Sequence, residues 1–102
     1  MITHYIYALY YKGKPVYIGI SFDPIKRLYA HKSTGGGHKL GRFMSKVKNV
    51  ADLHLSILDT VKTDSVRKTR PLHIIEQRWV AKFIKQGHKL TNTMITFYPV
   101  NN

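Results

Sequence analysis

The chain has 102 residues, enough for one modest hydrophobic core but not two, and carries 17 Lys and Arg against 5 Asp and Glu, a formal net charge of +12. Such a surface selects polyanions, because each phosphate neutralised by a cation releases a condensed counterion, and nucleic acid is the expected partner. An anionic membrane is the weaker alternative: no apolar run approaches ~18 residues, no basic amphipathic helix is one-sided enough, and His4 with four tyrosines by position 11 interrupts any secretory core. With no cysteine there is no disulfide framework and no thiolate zinc site, as fits the cytoplasm.

Residues 4–11 and 15–20 are rich in Tyr, Ile and Val on either side of Lys12-Gly13-Lys14, and read as two strands of a hairpin. Loop parity decides which side chains meet. A three-residue loop pairs Leu9 with Tyr17 and Tyr7 with Gly19, placing the Tyr7 and Tyr17 phenols on one face beside the space a glycine leaves; a two-residue loop puts them on opposite faces. Asp23-Pro24 starts a helix whose inward side is Ile25, Leu28 and Tyr29, with Arg27 and His31 sharing the other face. Thr34-Gly35-Gly36-Gly37 ends it, and a second helix is expected over 38–49 with Leu40, Phe43, Met44 and Val47 inward. A third strand runs from Leu53 to Val61, a basic loop covers 62–70, and Pro71 opens a last helix closed by Gly87. A short strand at 94–98 follows. The order β-β-α-α-β-α-(β), with no repeat and no dividing linker, predicts a single α/β domain over 1–102, an α+β sandwich on a small antiparallel sheet.

Glu76 is the only glutamate, and it falls on the apolar stripe of the last helix among Leu72, Ile75, Trp79, Val80 and Phe83. An acid there needs a partner, either an internal Arg or Lys or a metal ion. The histidines show no paired-ligand spacing for zinc, and the triple glycine lacks the Gly-Lys-Ser/Thr of a phosphate-binding loop.

Tyr5-Ile6-Tyr7 and Tyr17-Ile18-Gly19, followed in order by Arg27, His31, Glu76 and Asn92, resemble the GIY-YIG endonuclease domain across essentially the whole chain. The departure is Tyr5, which stands where the family has glycine and where no chemical group is needed. The resemblance implies a three-stranded antiparallel sheet flanked by helices and DNA cleavage with one divalent cation, Mg²⁺ or Mn²⁺, held by Glu76. It makes Tyr7 the general base and Tyr17 its assistant. A phenol titrates near pH ~10, so Tyr7 needs nearby cations or metal-bound water to act at neutral pH.

Arg27 offers a planar fork to phosphate oxygen, His31 a bond to phosphate or tyrosine or a proton relay, and Asn92 braces the site. His38 faces phosphate or caps a helix. Lys39, Arg42, Lys46, Lys48, Lys62, Arg67, Lys68 and Arg70 form the expected footprint for backbone phosphates, which positions DNA without reading sequence. The partner is therefore double-stranded or branched DNA, and since one site cuts one strand per event, double-strand cutting calls for a homodimer or two encounters. The phenols, the guanidinium and the acid must then line one basic cleft. The rival reading is a non-catalytic nucleic-acid-binding protein with the same fold and charge.

Overall fold

In a computed structural model that describes residues 1–28, 43–44 and 46–92, strands β1 (Ile2–Tyr11), β2 (Lys14–Ser21) and β3 (Leu53–Thr63) form one antiparallel sheet in the order β2-β1-β3. The central strand is buried on both faces: Ile6 and Ala8 point one way and Tyr7 and Leu9 the other, and all four are at most 2% exposed. Its middle, Ile6 to Leu9, accordingly lacks the alternation of apolar and polar residues. The expected 94–98 strand lies outside the described residues. Among the described residues, no helix is long and apolar enough to cross a membrane.

Of the two loop lengths the sequence leaves open, the hairpin has the shorter, yet it keeps the pairing of the longer. Lys12 and Gly13 alone make the turn, both at positive φ (51° and 80°), so Tyr11 pairs with Lys14. A register shift between Leu9 and Tyr10 then leaves Val16 unpaired, and this bulge restores the parity of a three-residue loop: Leu9 pairs with Tyr17 and Tyr7 with Gly19. Pro15, which has no N–H to donate, sits beside the bulge, where a ladder bond is not required.

Gly19 is held to its identity by the phenols. A methyl group there would lie 2.5 Å from the Tyr7 hydroxyl oxygen and 2.8 Å from a Tyr17 ring carbon, so the room a glycine leaves is filled by Tyr7 itself. Gly19→Ala is expected to lower stability by about 1–3 kcal/mol, as overpacking does, and to push the Tyr7 ring aside. Thermal melting and the tyrosine near-ultraviolet circular dichroism check both.

Helix α1 (24–28 in the described residues) starts as its sequence directs: the Asp23 carboxylate accepts the Lys26 N–H at 3.2 Å and the Asp23 carbonyl accepts that of Arg27 at 3.1 Å. Leu28 packs inward, but Ile25, expected inward, is 54% exposed. Residues 43 and 44 are helical, and the helix expected to reach 49 has ended by 46, closing with the Lys46 N–H on the Phe43 carbonyl and the Val47 N–H on that of Met44. Helix α2 (Arg70–Lys85) begins after Thr69 with Pro71 in its first turn, and Gly87 at φ 97° follows its end. Lys82 and Lys85 occupy its last turn, where positive charge suits the exposed carbonyls.

The sheet separates two apolar clusters. On one face Leu72, Val80 and Phe83 of α2 close over Ile6, Ala8, Ile18 and Ile20. On the other, Leu9 and Met44 gather Tyr17, Leu28, Phe43 and Leu53. This is an α+β sandwich with the sheet in the middle.

Candidate active site

Tyr7 and Tyr17 lie side by side on the face away from α2, with ring centroids 6.2 Å apart. Tyr7 is 2% exposed. Burial pushes its hydroxyl well above the ordinary phenol range, the Tyr17 hydroxyl adds to the shift, the Arg27 guanidinium opposes it, and the Glu76 carboxylate adds a smaller push. Tyr17 is pushed up to about 12, by burial first and by Glu76 second, again against Arg27. Arg27 and Glu76 thus act on both phenols, although one comes from α1 and the other from α2 across the sheet. In this state both hydroxyls keep their protons at neutral pH.

Glu76 is 3% exposed, the buried acid in the stripe of Leu72, Val80 and Phe83. The Lys68 ammonium stands 2.7 Å from its Oε1, and His73 Nδ1, one helical turn back, lies 3.1 Å from the same oxygen. Among the described residues no hydrogen bond reaches Oε2. The internal ion pair that the sequence left open as an alternative is therefore present. Its cation, however, is not buried: the Lys68 side chain is 45% exposed, on the loop between β3 and α2. A buried carboxylate with one oxygen shared by a half-exposed lysine and a histidine, and the other without a bond among the described residues, has room for a further cation.

The cleft itself is a cavity of about 370 Å³, with Tyr17, Lys26, Arg27 and Lys68 among the side chains lining it. Tyr7 and Glu76 do not line it, so the expectation that all four groups line one surface is corrected: Tyr17 and Arg27 do, Tyr7 adjoins Tyr17, and Glu76 pairs with Lys68. His4, which sequence reasoning assigned no role, lines it too. It is 2% exposed, and its Nε2 lies 2.8 Å from both the Ser65 carbonyl and Thr63 Oγ1. The carbonyl can only accept, so Nε2 carries the proton. Thr63 Oγ1 also donates to the Ser65 carbonyl at 2.8 Å, and together these bonds pin the loop that delivers Lys68. The available signal was parity, since His4 shares the inward face of Ile6 and Ala8.

Asn92 lies against the backbone of β2. Its Oδ1 accepts the Ile18 N–H at 2.9 Å and its Nδ2 donates to the Ile18 carbonyl at 2.7 Å, while the Thr91 N–H donates to the Val16 carbonyl at 2.7 Å. The amide thereby satisfies both backbone groups of Ile18 on the side of β2 away from β1. Of the expected phosphate footprint, Lys46, Lys48, Lys62, Arg67 and Arg70 are exposed, and Lys68 is committed to Glu76. His31, His38, Lys39 and Arg42 lie outside the described residues. Among the described residues no group of three or more His, Cys, Asp or Glu gathers that could hold a metal.

The Tyr17 phenol, the Arg27 guanidinium and the Lys26 and Lys68 ammonium groups around one cavity suit an anionic group such as the phosphate backbone of a nucleic acid. Residues 3–89 match the model of the GIY-YIG catalytic domain, and the chain belongs to that family. Its members are nucleases, in general DNA endonucleases that depend on a divalent metal. No significant match was found among curated proteins or among solved structures.

Proposed function

We propose that this domain is a metal-dependent endonuclease that hydrolyses DNA phosphodiester bonds, with Glu76 holding Mg²⁺ or Mn²⁺ and Tyr7 as general base. The observation that carries this reading is the buried Glu76 carboxylate, paired with a half-exposed lysine on the cavity wall. Its donor chemistry fits a hard divalent ion that takes one carboxylate and keeps several waters. When bound, that ion supplies Lewis-acid stabilisation of charge on the phosphate.

The chain's own residues would then divide the work. Arg27, exposed at the cavity, bonds phosphate oxygens through its planar fork. Tyr17, whose hydroxyl holds its proton firmly, donates to the phosphate or orients the attacking water. Lys68, once released from Glu76, is already on the wall where the phosphate sits. Tyr7 must give up its own proton before it can take one from water. Arg27 favours that loss, and neutralising Glu76 removes a push that opposes it. Asn92 anchors the backbone of β2 at Ile18, between Tyr17 and Gly19.

The test is incubation of the purified protein with linear, nicked and branched DNA, with and without Mg²⁺ or Mn²⁺, mapping the ends produced. Cleavage confined to the metal-containing reactions is expected. Binding with a steep salt dependence but no cutting on any substrate would favour the non-catalytic protein instead.

A further inference from the structure

The cavity is larger and more apolar than a phosphate alone calls for. Its 370 Å³ lies within the range of about 300–1,000 Å³ typical of sites that enclose an organic ligand. Lys26, Arg27 and Lys68 answer a phosphate, but Ile20, Phe22 and Val66 line the same space and do not. Phe22 and Val66 are 50% and 51% exposed, large apolar groups left in water on the wall of a cationic cavity. The backbone at Phe22 is also held in place. It occupies the tight connection between β2 and α1, where the Ser21 hydroxyl accepts the Asp23 N–H at 2.9 Å and Asp23 in turn caps α1.

We infer that the cavity receives one unstacked nucleotide of the DNA, its base against Phe22 and Val66 and its phosphate on Arg27 and Lys26. Aromatic side chains bind single-stranded nucleic acid by stacking on the base, and cations beside them track the backbone. In a continuous duplex both faces of each base are covered by its neighbours, and exposing one is least costly where the nucleotide is already unpaired. The favoured substrate class is therefore DNA with an unpaired nucleotide beside the scissile phosphate, as at a bulge, gap or flap, rather than unbroken duplex. This inference rests on the nuclease reading above and narrows its substrate.

The experiment measures binding to three labelled DNAs in the presence of a chelator, so that nothing is cut. These are a continuous duplex, the same duplex with one unpaired 2-aminopurine nucleotide, and the same with an abasic sugar at that position. Wild-type protein is expected to bind the bulged DNA about tenfold more tightly than the other two, with a change in 2-aminopurine fluorescence. Phe22→Ala should lose that preference while keeping duplex affinity and its salt dependence, and Phe22→Trp should restore it. Equal binding of bulged and abasic DNA, or an equal loss on all three in Phe22→Ala, would overturn the base subsite while leaving the nuclease reading intact. Failure of the wild-type protein to bind any of them would remove both.

Discussion

Cleavage by Glu76→Gln is expected to fall by on the order of 10³-fold or more, with DNA affinity in chelator unchanged. The amide keeps the shape of the side chain and an oxygen for Lys68, but offers no charge to a divalent ion. Stability should change little, because removing a buried charge together with its demand for a partner is often neutral or favourable. Lys68→Met has the opposite signature. It strips the 3%-exposed carboxylate of its close ammonium, which lowers the melting temperature of the metal-free protein, and it removes the ammonium that a divalent ion must displace, which tightens Mn²⁺ binding several-fold. Calorimetric titration with Mn²⁺ in the three proteins separates these effects from activity. A Glu76→Gln protein that binds Mn²⁺ as wild type does and still cuts DNA would remove the carboxylate from the site, and the ion pair with Lys68 would then be its whole role.

The α2 stripe was readable from sequence because helical period and burial are the same fact: Leu72, Val80 and Phe83 recur at the spacing that faces β1 and β2, and Glu76 stands out against them. The hairpin was readable because residues 4–11 and 15–20 are rich in Tyr, Ile and Val. What sequence left undecided was parity in the hairpin. The turn is two residues long, which alone would have split the phenols between faces, and only the bulge at Val16 brings Tyr17 back beside Tyr7. A bulge has no strong signature in one sequence, although Pro15 and Gly19 both mark a strand with irregular demands. Lys68 was harder still. It was one cation among many in a basic loop without period, and its pairing with Glu76 depends on His4 fixing the loop at Ser65 from the far end of the sequence. Side chains that act through loop position leave no periodic trace. Ile25 was misplaced for a related reason, because helical spacing gives a face but not what covers it.

Tyr7→Phe is expected to reduce cleavage by about 10²–10⁴-fold, the usual contribution of a general base. Its pH behaviour distinguishes a chemical role from a packing role, since loss of the hydroxyl acts on rate and on stability with opposite signs. In the wild-type enzyme the rate should climb about tenfold per pH unit below the phenol's working value, because only the ionised form accepts a proton, and Tyr7→Phe should abolish that slope. Stability runs the other way. Burial raises both phenols in the folded state, so the folded protein holds these protons more tightly than the unfolded chain does. That contribution is complete below the unfolded phenol value of ~10 and is lost as pH rises from there, through about 12 for Tyr17 and beyond it for Tyr7. The melting temperature should therefore drop above pH ~10, and less steeply in Tyr7→Phe, which has one fewer buried phenol to titrate. A variant that shows the shallower alkaline loss yet cuts DNA at the wild-type rate and with the wild-type pH slope would leave Tyr7 as the ring that fills the space over Gly19 and nothing more.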